Sequence, residues 1–244
     1  MRIPRIYTEQ PLTPDTTLEL GGDTAHYISR VLRMSEGREL ELFNGQGGAY
    51  RGTLGQVGKK CVTIALGEFL PGDRESPLGI ELAIGLSRGE RFDTVLQKAT
   101  ELGVKRIVPL LTERTEVKLK GDRLAKKWQH WRQITISACE QCQRNHPPEL
   151  AELTTLTDYL PLAAGDHKYV LHHRDNQSLA VGDSPPSSAA LLVGPEGGLS
   201  DIEITAAQGA GFTALTLGPR VLRTETAPLS AISILQYLWG DLQN

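Results

Sequence analysis

The sequence predicts an α/β protein in which a small β-rich domain precedes a parallel sheet with helices on both faces. Three observations lead to this fold class. In residues 1–70, short runs alternate polar and apolar side chains, as half-buried strands do. From Leu78 onward, apolar runs of strand length alternate with segments of helical periodicity, which is typical of a parallel sheet covered by helices. Between them, residues 71–77 (PGDRESP) are polar and turn-rich, so they are interpreted as a linker.

We therefore expect two domains, residues 1–72 and residues 73–244. The strands expected in the first domain are ELELF (39–43) and CVTIAL (61–66), whose side chains alternate between polar and apolar. A short helix is expected at residues 26–34, HYISRVLRM, with Arg30 and Arg33 on a different side from its apolar residues.

The second domain should contain five strands. In chain order they are IELAIGL (80–86), RIVPLL (106–111), KYVL (168–171), ALLV (190–193) and TALTL (213–217). Pro109 has no N–H group and should place the second of these at an edge of the sheet or near the strand's own end. Since the carboxyl ends of parallel strands lie at one edge of a sheet, the ligand site is expected at that edge.

Helices should connect these strands. Apolar residues at helical spacing predict one helix from Phe92 to Leu102, which Gly103 would end. A long helix should begin at Asp122 and run past Cys139.

The last helix should have Thr224 or Thr226 as its N-cap and Pro228 in its first turn. Its inward face would carry Leu229, Ile232, Leu235 and Leu238. The polar segment 172–189 is either a surface excursion or a mobile loop over the site.

Composition excludes several classes of protein. Apolar residues make up 39% of the chain and charged residues 23%, as in ordinary globular proteins. No apolar run approaches the roughly 20 residues that cross a bilayer, so no membrane association is expected. The N-terminal residues lack the apolar core of a secretory signal, and the three cysteines form no disulfide framework, which favours the cytoplasm. A net charge of −3 disfavours general coating of nucleic acid but allows a local basic patch.

Two glycine-rich stretches, GPEGGLS (194–200) and LGPRVLRTETA (217–227), each follow a strand and precede a helix. Side by side, they would offer backbone groups at close range to a purine and a ribose. The alternative is that both are ordinary strand-to-helix turns that need positive φ. The G-x-G-x-x-G, G-K-[ST] and G-x-S-x-G patterns are missing, which disfavours a dinucleotide site, a P-loop and an α/β hydrolase.

Cys139, Cys142 and His146 have the spacing of three zinc ligands. Cys142, however, falls on the apolar stripe of the long helix, where cysteine acts as a small apolar residue, so no metal is expected. On the polar side of that helix, Glu140 and Arg144 are four residues apart. They form either a surface ion pair or an arginine held for phosphate or substrate.

Eight stretches occur in order over nearly the whole chain: MRIPRIY, HYISRVLRM, DRESPL, LSRGERFD, QKATELGV, ACEQCQRN, GPEGGLS and LGPRVLRTETA. Together they resemble the RsmE family of ribosomal RNA methyltransferases in the SPOUT superfamily. The resemblance implies a PUA-like β-barrel for RNA recognition, an α/β domain with a C-terminal trefoil knot, and a homodimer. It also implies that the knot loops hold S-adenosylmethionine through Leu171, His172, Gly194, Glu196, Gly197, Gly198, Leu217, Gly218, Val221 and Leu222.

The activity that the resemblance implies is methylation of N3 of uridine 1498 of 16S rRNA in the small ribosomal subunit. N3 of uracil carries a proton at neutral pH, so the reaction needs a base or a cation that stabilises the uracil anion. Our hypothesis is that Arg223 or Arg144 is this cation and that Glu225 orients it. The rival interpretations are a SPOUT methyltransferase acting on another RNA site and a non-catalytic RNA-binding assembly factor.

The residues expected to contact RNA are Arg5, Arg30, Arg33, Arg88 and Arg91. For Glu196 two roles remain open at this point: it caps the helix that begins near Ser200, or it touches the cofactor.

Overall fold

A computed structural model describes residues 3–58, 60–172 and 185–243. It divides the chain into two compact units. The first consists of Met1–Glu75 together with Cys139–Pro147, and the second of Ser76–Ala138 together with Pro148–Asn244. The segment Cys139–Pro147 therefore belongs to the first unit, although more than 60 residues of sequence separate it from the rest of that unit. No local sequence pattern indicates this.

The first unit contains a five-stranded sheet with the order β1-β3-β4-β5-β2. Its strands are β1 (Arg5–Tyr7), β2 (Thr17–Gly21), β3 (Glu39–Phe43), β4 (Ala49–Val57) and β5 (Cys61–Leu70). β1 is parallel to β3, and the other neighbours are antiparallel. Alternation along the strands selects the buried face: Leu18 and Leu20 of β2 are buried, while the residues beside them are exposed.

One helical segment follows β2. The helix α1 (Gly22–His26) continues into a π-helical turn, Tyr27–Val31, in which the N–H of Leu32 donates to the carbonyl of Tyr27 at 2.9 Å. The helical segment thus begins four residues before the predicted one. It ends at Arg33, which has a φ of 51°.

The second unit contains a seven-stranded parallel sheet. Its strands are β6 (Gly79–Gly85), β7 (Arg106–Leu111), β8 (Glu149–Leu150), β9 (Thr154–Thr155), β10 (His167–Leu171), β11 (Ser188–Val193) and β12 (Thr213–Leu215). The order is β12-β10-β11-β6-β7-β8, and β9 also pairs with β7. β6 and β11 have neighbours on both sides and are buried along most of their length, which explains their nearly continuous apolar sequences.

Helices cover both faces of this sheet. They are α2 (Arg91–Glu101), α3 (Gly121–Cys142), α4 (Leu156–Tyr159), α5 (Asp201–Gly209) and α6 (Thr226–Trp239), and α3 continues into the first unit. In β11, Leu191 packs in the core formed with α2 and α6, and Leu192 packs in the core formed with α4 and α5. The predicted α/β class with a preceding β-rich domain is therefore confirmed, while the trefoil knot stays a prediction.

Two predicted details were wrong. Pro109 lies in β7, which has strands on both sides, and it falls between the positions paired with β8 and those paired with β9. Its missing N–H is tolerated because neither short strand reaches it. At the start of α6, neither Thr224 nor Thr226 is the N-cap; Glu225 occupies that position and makes no side-chain cap bond.

Candidate functional site

The loops that follow β10, β11 and β12 lie together at one edge of the sheet, because these three strands are adjacent and parallel. They line a cavity of about 210 Å³. The apolar part of its wall comes from strand ends, among them Val193 and Leu215, and the remainder is largely backbone of the two glycine-rich stretches. An apolar cleft edged with backbone polar groups is the usual form of a small-molecule site.

The loop after β11 is a tight turn in which Gly194 has no room for a side chain. The N–H of Gly198 donates to the carbonyl of Pro195 at 2.8 Å, and Gly198 has a φ of 68°. A Cβ added at Gly194 would lie 2.7 Å from the backbone of Gly198 and Leu199. The glycines at 194 and 198 are thus required for different reasons, close approach in the first case and positive φ in the second.

Glu196 does not cap the helix that begins near Ser200, and its contact with the cofactor stays a prediction. Its Oε1 accepts the N–H of Arg88 at 2.8 Å and pairs with Nη1 of Arg91 at 3.1 Å. Burial alone would raise the pKa of Glu196, but these partners lower it, so the carboxylate stays ionised. Helix α5 is capped instead by Ser200, which forms a capping box with Glu203. Glu196 therefore ties the glycine loop to the segment after β6, although it also lines the cavity.

A second residue holds the same loop from outside. Nη1 of Arg114 donates to the carbonyl of Gly197 at 2.8 Å. One residue earlier, the N–H of Glu113 donates to the Glu203 carboxylate at 2.8 Å. The segment after β7 thus braces both the turn and the start of α5.

The loop after β10 and the loop after β12 are joined directly by hydrogen bonds. The N–H of His172 donates to the carbonyl of Leu215 at 3.2 Å, and the hydroxyl of Thr216 donates to the carbonyl of His172 at 3.0 Å. Gly218, with a φ of 77°, then turns the chain away from β12. These bonds set the spacing of the two walls of the cavity.

The structure brings all ten sequence-predicted cofactor residues to this cavity. They are Leu171, His172, Gly194, Glu196, Gly197, Gly198, Leu217, Gly218, Val221 and Leu222. The sequence reasoning did not single out Thr216, Arg220 and Thr224, which also line it. Arg220 follows the Gly-Pro pair of the third loop, and this position in a loop already predicted to bind a ligand is a signal that could have identified it.

Among the predicted catalytic residues of the second unit, Glu225 does not pair with Arg223. Arg223 is exposed and does not line the cavity, although its neighbours Leu222 and Thr224 do. The carboxylate of Glu225 faces Arg91 rather than Arg223, at 3.9 Å, and its Oε2 is buried without a hydrogen-bond partner among the described residues. Arg91 therefore lies between two carboxylates, those of Glu196 and Glu225.

Arg144 is in the first unit and is buried. Its Nε lies 3.0 Å from both oxygens of Glu75, and its Nη2 lies 2.5 Å from Oε2. Burial alone would lower the pKa of Arg144, but the hydrogen bonds that it donates to Glu75 raise it. The proposed surface pair with Glu140 does not exist, because Glu140 accepts the N–H of Tyr7 at 3.0 Å instead. Helix and strand meet there, which helical spacing alone does not reveal.

The five arginines predicted to contact RNA have different environments. Arg30 and Arg33 are exposed at the end of the helical segment after β2. Arg88 and Arg91 are exposed but pair with Glu116 and Glu196 respectively. Arg5 has a side chain only 10% exposed and pairs with a glutamate of β3. Arg30 and Arg33 are thus the members of the set best placed for contact with a phosphate backbone.

No group of three or more possible metal ligands occurs among residues 3–58, 60–172 and 185–243. Within those ranges, no helix has the length and apolar character needed to cross a membrane. The segment 172–189, predicted to be either a surface excursion or a loop over the site, includes residues 173–184, which lie outside the described part of the chain.

Known proteins resemble the chain along its whole length. A family model of an RNA methyltransferase domain matches residues 74–236, and one of an RNA methyltransferase PUA domain matches residues 20–66. Ribosomal RNA small subunit methyltransferase E of Buchnera aphidicola (subspecies Schizaphis graminum) is 34% identical, with 99% of this chain and 98% of that protein covered.

Two solved structures are similar over 99% of this chain and 100% of their own. Ribosomal RNA small subunit methyltransferase E from Neisseria gonorrhoeae, bound to S-adenosylmethionine, is 36% identical with a TM-score of 0.91. A Legionella pneumophila protein, solved in complex with the cofactor S-adenosylmethionine, is 43% identical with a TM-score of 0.96.

Proposed function

The chain belongs to the ribosomal RNA small subunit methyltransferase E family, and on that premise we propose that it methylates N3 of uridine 1498 in 16S rRNA. It is an S-adenosylmethionine-dependent rRNA methyltransferase. The observation that carries the proposal is the cavity at the sheet edge, which is enclosed by three loops from adjacent parallel strands. The identity of the uridine and of its atom is the finer step that experiment must test.

The residues of the cavity fit S-adenosylmethionine. Gly194 has no space for a Cβ, so backbone forms the cavity wall at that point. Apolar side chains of Leu171, Leu217 and Leu222 line the rest and suit an adenine ring, while the backbone of the glycine-rich loops suits ribose hydroxyls. The cofactor supplies a methyl group activated on a positively charged sulfur.

The residues of the chain must then prepare the acceptor. N3 of uracil loses its proton during the reaction, so a negative charge develops on the ring and a fixed cation lowers the barrier. The support for Arg223 in this role is that it is exposed in the same loop as the cavity-lining Leu222 and Thr224. Arg144 is a weaker candidate because Glu75 already holds its guanidinium.

Replacing Arg223 with alanine should lower kcat roughly 100-fold or more, the usual effect of removing one group that stabilises developing negative charge. The Kd for S-adenosylmethionine should stay within about twofold of wild type, since Arg223 does not line the cavity. Single-turnover methylation and isothermal titration calorimetry measure the two quantities. Near-normal turnover with intact cofactor binding would contradict the assignment.

We propose that the first unit docks on RNA through Arg30 and Arg33. The support is their exposure, together with the exposed apolar side chain of Val31 between them. A protein with a net charge of −3 needs such a local patch, because phosphate contacts depend on clustered cations.

The double change Arg30→Glu and Arg33→Glu should raise the KM for small subunits by roughly tenfold or more and reduce the salt dependence of binding by about one unit of slope per lost contact. The Kd for the cofactor should not change. Lys60→Glu, on the turn before β5, is the charge-reversal control and should have a much smaller effect. Unaltered methylation by the double variant would show that this patch is not the docking surface.

A homodimer is also proposed. Its support is the exposure of Tyr237 (57%) and Ile234 (38%) on α6, an apolar surface that a second copy would cover.

The decisive test maps methylated nucleotides in rRNA from a deletion strain with and without the gene. Restoration of N3 methylation at uridine 1498 alone supports the proposal. Restoration at another nucleotide would identify a different RNA site. No restored methylation at all would favour a non-catalytic RNA-binding assembly factor.

A further inference from the structure

The first unit contains a second concavity, of about 430 Å³, that the proposed reaction does not use. It is formed by β1, β3, the linker after β5 and the segment after α3. The polar side chains that line it are Arg5, Glu41, Asp73, Arg74, Gln143 and Asn145.

Hydrogen bonds hold one wall of this concavity in place. Nη1 of Arg5 donates to Glu41 at 3.0 Å, and its Nη2 donates to Oδ1 of Asn145 at 2.5 Å. Nδ2 of Asn145 donates in turn to the carbonyl of Gly72 in the linker at 2.6 Å. A polar surface fixed by several partners binds a ligand with little further loss of conformational entropy.

Arg5 uses two of its five N–H donors in these bonds. Its side chain is nine-tenths buried, yet its Nε–H has no hydrogen-bond partner among the described residues. Burial lowers the pKa of Arg5, although Glu41 acts in the opposite direction. A buried donor without an acceptor is costly, so such groups in native proteins call for an explanation.

Gln143 is a second, independent indication that this concavity binds a ligand. It has a φ of 72°, and its N–H donates to the carbonyl of Cys139 at 2.9 Å, which ends α3. Glycine or asparagine is usual at this position, and glutamine is strained there. Its side-chain amide makes no hydrogen bond to another described residue, so this amide is free to contact a ligand.

The charges of the concavity define the kind of ligand. Two arginines, Arg5 and Arg74, are balanced by two carboxylates, Glu41 and Asp73, so a polyanion gains little there. Amide and guanidinium groups read the edges of bases, whose donors and acceptors alternate. The apolar side chains of Leu70 and Pro71 supply a surface on which a flat ring can lie.

We propose that this concavity binds one unstacked base of the RNA substrate. The inference rests on the proposed function for the presence of RNA, and it assigns to the first unit a contact with a base in addition to phosphate contacts. An acceptor on the base would take a remaining Nη–H of Arg5, since the buried Nε is out of a ligand's reach, and the Gln143 amide would bond to the edge of the ring. RNA-binding proteins commonly select their sites through such unpaired bases.

Gln143→Gly is the informative variant, since glycine removes the amide and suits the positive φ, so folding should be retained. Its affinity for small subunits from a strain lacking the enzyme should fall roughly fivefold to a hundredfold, the range found for loss of one base contact. The Kd for S-adenosylmethionine and kcat at saturating subunits should not change. Asp15→Gly is the matched control, because Asp15 is an exposed residue of the same unit with a φ of 58° that does not line the concavity.

Filter binding of subunits measures affinity without methyl transfer, so this test does not depend on which nucleotide is methylated. Equal affinities of Gln143→Gly and Asp15→Gly would overturn the inference and leave the proposed function intact. An effect of Arg74→Ala alone, with a salt slope reduced by about one, would mean a phosphate contact instead of a base and would also overturn it. Wild-type protein that binds subunits but does not methylate N3 of uridine 1498 would contradict only the proposed reaction.

Discussion

Gly194→Ala is expected to weaken binding of S-adenosylmethionine by roughly tenfold to a hundredfold, which corresponds to about 1–3 kcal/mol for an overpacked position. The new Cβ would lie 2.7 Å from the carbonyl carbon of Gly198 and from the nitrogen of Leu199. Both atoms are backbone, so no side chain can move aside. The turn would have to open, and one wall of the cavity would shift. Isothermal titration calorimetry of the full chain measures the effect.

Gly209→Ala is the control for this change. Gly209 is the last residue of α5, and a Cβ there meets nothing within 4 Å. Alanine in a helix is favoured over glycine by about 0.5–1 kcal/mol, so this variant should be neutral or slightly more stable and should bind the cofactor normally. If both variants bound S-adenosylmethionine like wild type, the loop after β11 would not form a close wall of the cofactor site.

Arg144→Ala is expected to destabilise the first unit by about 3–5 kcal/mol, the usual cost of removing one member of a buried ion pair. The side chains of Arg144 and Glu75 are 4% and 11% exposed, so the remaining carboxylate would stay buried without its partner. Urea unfolding followed by circular dichroism measures the loss. The double variant Glu75→Gln, Arg144→Met removes both charges and should recover much of the stability.

Lys98→Ala is the control, because its pair with Glu101 lies on the surface and contributes only a few tenths of a kcal/mol. The experiment also decides between the two roles considered for Arg144. A fall in kcat with unchanged stability would support the catalytic role predicted from the sequence. A loss of stability that the double variant restores, together with activity, would support a structural role.

The sheet and its loops were predictable because their signals are local. Alternating runs, helical periodicity and Gly-Pro pairs each depend on neighbouring residues, and strands alternating with helices leave few possible arrangements. Even the unexpected capping box of α5 has a local pattern, serine followed three residues later by glutamate at Ser200 and Glu203. Pro109 misled the prediction because its tolerance depends on two short strands that begin 40 or more residues later in the chain.

The functional details were less predictable because they depend on distant partners. Glu196 is held by Arg88, which is 108 positions away in the chain. Arg144 is paired with Glu75 across 69 positions. Each pair forms because the fold brings two residues that are distant in sequence close together in space. The spacing of residues along a helix or strand cannot predict such a pair.

By itself, the sequence determined the α/β class, the three strand ends at one edge and the glycine-rich stretch GPEGGLS as the wall of a cavity, since backbone conformation and burial follow from local composition. The tertiary structure alone decided that Glu196 braces this loop and that Arg144 is buried. It also decided that residues 139–147 join the first unit and form a concavity with Arg5. The physical reason is that packing and ion pairing join residues by distance in space, which only the folded chain defines.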